Sequence, residues 1–159
     1  NTAYLFHLGD SRIYLLRKGA TKCLTEDHRT WVSSEKSYLS RAMGIFPQLE
    51  LDHQTMQLEK DDVFVLCTDG VYEHVEPELM LRLVEENLDD LDIAAQKMAQ
   101  HAYEDGSSDN LSAQIVKIDE LPSVNAKERM TQLTQLAFPP VLHDRAECDG
   151  FKILRVLYS

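Results

Sequence analysis

The chain opens on an apolar stretch, Thr2 to Leu8, that carries Ala3, Tyr4, Leu5, Phe6 and Leu8 and breaks at Gly9-Asp10. Arg12 to Leu16 repeats the pattern, and Arg17-Lys18-Gly19 supplies a turn before Ala20 to Leu24. Short runs with a Gly-containing connection predict a β-hairpin with buried strands. Leu51 to Leu58 alternates weakly. After Asp61-Asp62 comes Val63-Phe64-Val65-Leu66-Cys67, a β-branched and aromatic run stopped by Thr68-Asp69-Gly70. That composition and length predict a buried strand.

The period then changes. Glu76-Pro77 starts a helix, with Pro at the favoured first position, and Met80, Leu83, Val84 and Leu88 form its apolar stripe. A second helix begins near Asp89 to Asp92, where carboxylates face the positive end of the helix dipole. Leu91, Ala94, Ala95, Met98 and Ala102 mark its buried face, and Gly106 ends it. Leu111 to Ile118 predicts a last strand. Strands first, then helices between later strands, predict an α+β fold rather than a regular βαβ series.

After Pro122 the pattern weakens. Ser123 to Asp149, with Pro139-Pro140 and scattered charge, reads as a linker or wrapping arm. Phe151 to Leu157 alternates again like a strand, with no evident partner, and looks like the opening of another domain. The expected division is therefore 1–119, 120–148 and 149–159.

Composition narrows the class. The 159 residues include 16 Lys plus Arg against 27 Asp plus Glu, a net charge of −11, and 43% are hydrophobic. That fills the core of one domain, while the acidic balance argues against nucleic acid, whose phosphates it would repel. No apolar run approaches the about 18 residues of a membrane span. Three dispersed cysteines, Cys23, Cys67 and Cys148, suit neither a disulfide framework nor a thiolate zinc site, which points to a reducing cytoplasm. The chain begins with Asn1 rather than Met, so a piece of a longer protein is expected.

Absences narrow the chemistry. The glycines never form G-x-G, so dinucleotide and P-loop cradles are missing. No H-E-x-x-H, EF-hand loop or G-x-S-x-G elbow occurs. What remains is three carboxylates at strand ends: Asp10 after the first strand, Asp69 after Val63 to Cys67, and Asp109 before the last strand. Gly9 and Gly70 adjoin two of them, where a small residue lets the backbone turn and leaves room for an ion. Three anions at one sheet edge repel unless cations sit among them, and hard oxygens without Cys or His suit magnesium or manganese. The competing reading makes each an ordinary turn aspartate beside glycine.

Five blocks bear on this choice. His7-Leu8-Gly9-Asp10-Ser11-Arg12-Ile13-Tyr14, Leu24-Thr25-Glu26-Asp27-His28, Leu39-Ser40-Arg41-Ala42-Met43-Gly44, Asp61 to Glu73, and Ser108-Asp109-Asn110-Leu111-Ser112 stand in this order. Together they resemble the type 2C, metal-dependent Ser/Thr protein phosphatases, over Asn1 to about Asp119 and in the C-terminal part of that domain. The resemblance implies a β-sandwich flanked by helix pairs, a binuclear manganese or magnesium centre, and phosphoserine or phosphothreonine proteins as substrates. It makes Asp69 and Asp109 metal ligands and catalytic residues. It makes Asp10 the ligand of a third, accessory ion, and Gly9, Gly70 and Asn110 the turns that shape the site.

The departures carry expectations too. The family's phosphate-holding Arg, its early Glu-Asp ligand and its metal-bridging Asp have no counterpart here, so this chain alone is expected to be inactive. The segment His28 to Leu39 is short where bacterial members carry a longer flap. Cys148 to Leu157 resembles the first strand of a protein-kinase N-lobe, which implies a bacterial signalling protein that fuses phosphatase and kinase. Two rival phosphatase chemistries fail on single positions: a dehalogenase-type enzyme needs an Asp nucleophile where Cys67 stands, and a cysteine phosphatase needs Arg where Glu73 stands. A non-catalytic regulatory or binding module that keeps the fold is the alternative from another class.

Overall fold

The computed structural model describes residues 1–33, 36–44, 50–122, 147–148 and 151–152. The chain divides into two compact units, Asn1–Pro122 and Ser123–Ser159. In the first lie β1 (Thr2–His7), β2 (Arg12–Arg17), β3 (Ala20–Cys23), β4 (Arg29–Ser33), β5 (Lys36–Leu39), β6 (Asp52–Gln57), β7 (Val63–Cys67), α1 (Asp69–Tyr72), α2 (Pro77–Glu85), α3 (Leu91–Glu104) and β8 (Ala113–Lys117). The architecture is α+β, as the order of apolar runs predicts.

The main sheet has the order β3-β2-β7-β8, antiparallel throughout. Its registers set Tyr14 opposite Val65 and Leu16 opposite Val63. Side chains alternate along a strand, so these residues share one face with Cys67. That face forms one core with Val71, Tyr72, Val75, Met80, Val84, Ala94, Met98 and Ala102 from the helical segment. Leu15 and Phe64, paired in register, are buried on the opposite face, which explains why the β7 sequence is continuously apolar. Pro77 opens α2, and the Asp90 carboxylate caps α3 by accepting the N–H groups of Asp92 and Ile93.

One partly buried ion pair pins the end of the sheet's two central strands. Arg17, at the end of β2, holds Asp62 through two hydrogen bonds of 2.6 Å, and the Glu59 N–H gives Asp62 a third at 2.8 Å. The Asp62 side chain is fully buried. Burial alone would raise its carboxyl, but Arg17 and the Glu59 N–H hold it below its ordinary value.

Several expectations need correction. The hairpin is β2–β3, and β3 is largely exposed rather than buried. β1 pairs with β6 in a separate two-stranded sheet, so the weakly alternating segment Leu51 to Leu58 supplies a partner for the first strand. Leu88 falls beyond α2 and is 47% exposed, because Glu86 already ends the helix. The last strand is shorter than 111–118, since Ser112 turns its carbonyl to the Thr68 N–H at the sheet's end. The pair β4–β5 and the short α1 have no counterpart in the periodicity.

In the second unit, β9 (Glu147–Cys148) pairs antiparallel with β10 (Phe151–Lys152). Phe151 therefore has a strand partner in the chain, Cys148, contrary to the expectation of an unpartnered run. The remainder of that run, residues 153–157, and the predicted arm from 123 to 146 lie outside the described residues.

Candidate metal centre

Asp10 sits in the turn between β1 and β2, and Asp69 opens α1 directly after β7. A third residue joins them. Arg29, the first residue of β4, donates from Nε to Asp10 Oδ2 at 2.7 Å and from Nη2 to Asp69 Oδ2 at 2.6 Å. Its Nη1 lies 3.5 Å from Glu73 Oε1. Two of the three predicted carboxylates thus converge, with a cation between them, as electrostatics requires of clustered anions. Sequence reasoning missed Arg29: it falls in the segment treated as a short flap, and no periodicity marks it.

Asp109 reaches the same end of the sheet by a different route. A Cβ placed on Gly70 would lie 2.7 Å from the Asn110 carbonyl oxygen and 3.2 Å from Asp109 Cβ. The loop that carries Asp109 and Asn110 is therefore packed directly on the Asp69-Gly70 turn, and only glycine fits between them. Thr68 fastens the two: its hydroxyl donates to the Asn110 carbonyl at 3.0 Å and accepts the Ser112 N–H at 3.1 Å. The Asp109 side chain is exposed, and its Oδ1 accepts the Asn110 N–H at 2.6 Å.

The Gly9-Asp10 turn is held by consecutive residues. Asp27 pairs with Arg12 through bonds of 3.0 and 2.9 Å, His28 Nδ1 accepts the Gly9 N–H at 3.1 Å, and Arg29 takes Asp10. Gly9 itself has φ +103°, a conformation side chains resist. Arg12 also lies 3.8 Å over the ring of Tyr72, whose buried hydroxyl has no hydrogen-bond partner among the described residues. The motifs from Gly9 to Arg12 and from Asp27 to His28 are thus two halves of one clamp.

His7, His28 and Asp52 form the one trio of metal-type side chains, among the described residues, whose donor atoms all lie within 4.8 Å of each other. Hydrogen bonding assigns it another role. Because His28 Nδ1 accepts from Gly9, its Nε2 carries the proton and donates to Asp52 at 2.9 Å, leaving no lone pair there for a metal. Arg41 completes the chain at 2.8 Å, and His28 first, with Arg41, brings the Asp52 carboxyl down to about 2. Asp10, Asp69 and Asp109 are not drawn to that distance: Arg29 stands between the first two, and Asp109 faces its own loop.

The donor set at the sheet end is oxygen only, anionic and already shares a cation, which fits a hard divalent ion. Burial pushes the neighbouring Cys67 thiol up to about 12, so no thiolate competes as nucleophile.

Known proteins place this fold. A serine/threonine phosphatase, stp, of Listeria monocytogenes is 30% identical over 128 residues, covering 71% of this chain and 50% of its relative. The structure of PppA, a regulatory component of the type VI secretion system in Pseudomonas aeruginosa, superposes with a TM-score of 0.67 at 26% identity, over 74% of this chain and 52% of that one. The catalytic domain of the phosphatase PstP, solved with two manganese ions, shares the fold with a TM-score of 0.61 at 22% identity, over 76% and 55% of the respective chains. The chain spans about half the length of the curated relatives it matches. Residues 2–117 match the family described as Stage II sporulation protein E, and the chain accordingly belongs to this SpoIIE family of PP2C-type phosphatase domains.

Proposed function

We propose that the full-length protein carrying this chain hydrolyses phosphoserine and phosphothreonine on proteins in a reaction that depends on manganese or magnesium. The convergence of Asp10 and Asp69 on one cation, beside the Asp109 loop, is the observation that carries this reading. Asp69 and Asp109 would hold the catalytic ions and Asp10 an accessory one, with Gly9, Gly70 and Asn110 shaping the turns. Bound there, such ions supply Lewis acidity, lowering the pKa of water and neutralising charge on phosphoryl oxygens. The chain's own work is positional: β7 fixes Asp69, Thr68 holds the Asp109 loop against it, and the Asp27-His28-Arg29 clamp fixes Asp10.

In the same proposal residues 1–119 are the C-terminal part of the phosphatase domain, 120–148 a linker or wrapping arm, and 149–159 the start of a fused protein-kinase domain in a cytoplasmic signalling protein. Among the described residues no helix is long and apolar enough to cross a membrane. A non-catalytic module is the rival reading, in which Arg29, a fixed cation, would balance two of the carboxylates in place of a metal. Asp69→Asn and Asp109→Asn in the full-length protein separate the two. Each should abolish manganese-dependent turnover of a phosphothreonine peptide and weaken manganese binding by calorimetry. Near-native turnover in either variant overturns the assignment, and a native protein without carboxylate-dependent binding supports the module.

A further inference from the structure

We infer that Arg29 is a tethered counter-ion that sets the metal affinity of this centre by competing with the divalent cation for Asp10 and Asp69. The inference rests on the metal-centre reading above.

The guanidinium spends each of its three nitrogens on a different carboxylate: Nε on Asp10, Nη2 on Asp69 and Nη1 toward Glu73. These carboxylates come from separate places, the β1–β2 turn, the start of α1 and the residue that ends α1. The arrangement is sheltered, with Arg29 at 17% side-chain exposure, Asp10 at 21% and Asp69 at 28%. Charge-assisted bonds in such a setting are stronger than those at the open surface.

Both oxygens of Asp69 are engaged, Oδ1 by the Gly70 N–H at 2.9 Å and Oδ2 by Arg29. A divalent ion needs direct oxygen contact at about 2.0–2.2 Å, closer than any N–H donor allows. Asp69 Oδ2 keeps a second lone pair, but an ion bound to it would sit beside the guanidinium charge, and that repulsion drives Arg29 to withdraw. A single positive charge spread over a planar group is replaced by two charges on one atom. The exchange is favourable only by the difference between the two, so apparent metal affinity is lower than the carboxylates alone would give. In return, the site does not carry bare, half-buried anions when metal is scarce.

Calorimetric titration with Mn²⁺ of the full-length protein and its Arg29→Gln variant tests this. Arg29→Gln should bind Mn²⁺ about tenfold more tightly, and its thermal midpoint should be lower than native in chelator and rise further on adding Mn²⁺. Equal or weaker binding would show that Arg29 only props the carboxylates in place, and overturns the inference. A measurement on the native protein is independent of whether the variant folds. The Arg29 Nε–H resonance should lose its hydrogen-bonded shift as Mg²⁺ saturates the site, and an unmoved resonance also overturns it. Asp69→Asn distinguishes the two levels: unchanged Mn²⁺ binding there removes the metal-centre reading itself. Loss of binding in Asp69→Asn with no gain in Arg29→Gln removes only the role of Arg29.

Discussion

The imidazole of His28 accepts the backbone N–H of Gly9 at 3.1 Å, while the backbone N–H of His28 donates to the Gly9 carbonyl at 2.8 Å. Gly9 is thereby bonded at both its N–H and its carbonyl by one residue, and Asp10 inherits a fixed starting point. His28 is 3% exposed, so the Gly9 N–H has no water to turn to if the imidazole is lost. His28→Ala should destabilise the full-length protein by about 1–3 kcal/mol, the cost of a buried unsatisfied donor. Urea unfolding measures it, and a loss below the error of the method would refute the clamp.

Gly70 and Gly9 are required for different reasons, and substitution should separate them. Gly70→Ala drives a methyl against the Asn110 carbonyl at 2.7 Å, so the Asp69 and Asp109 loops must part. Weaker manganese binding is expected together with about 1–3 kcal/mol of lost stability. Gly9→Ala meets no neighbour within 4 Å among the described residues and suffers only from its φ of +103°, a strain of about 1–3 kcal/mol. Calorimetry and unfolding on both variants check the contrast.

Asp10 should behave unlike Asp69. On the proposal that Asp10 holds an accessory ion, Asp10→Ala should keep tight manganese binding while lowering turnover or shifting its manganese dependence. Loss of the tight sites in the same titration would move Asp10 into the primary centre.

The pair Arg17–Asp62 predicts a pH dependence. Since Asp62 is held below its ordinary value of 3.8, its contribution is complete above that value and is lost as pH falls toward and through the folded-state value. Arg17→Met leaves the carboxylate buried without its cation, which should cost about 3–5 kcal/mol at neutral pH. Burial then raises the Asp62 carboxyl, so the variant responds in a range where the native pair does not: mild acid above 3.8 should partly restore the variant while the native pair keeps its full contribution. Denaturation curves at pH 4 and pH 7 for both proteins decide it.

The strongly periodic parts of this chain could be read without coordinates, because burial on one or both faces leaves a pattern. Val63 to Cys67 is apolar throughout because both sheet faces are covered, and Ala94, Met98 and Ala102 repeat at the helical period because one face is. Asp10, Asp69 and Asp109 stood out by their place beside glycine or at strand ends. Arg29 did not, since its role depends on β4 crossing beside a turn nineteen residues earlier in the chain, and pairing at that distance has no local signal. The partnership of β1 with β6 was hidden for the same reason. The exposed strand β3 shows the converse, a short apolar-leaning run whose burial the sheet's edge position cancels.

Asp27, His28 and Arg29 place an anion, a hydrogen-bond acceptor and a cation in strict succession, each matched to its complement in Arg12, the Gly9 N–H and Asp10. Such a row behaves like a key cut for one lock position. Deleting or adding a single residue between Glu26 and Thr30 would offset all three teeth together, whereas changing one tooth leaves two engaged. Length in this stretch is therefore under tighter constraint than identity, and in-frame scanning by single-residue insertion should find it among the least tolerant segments of the first unit.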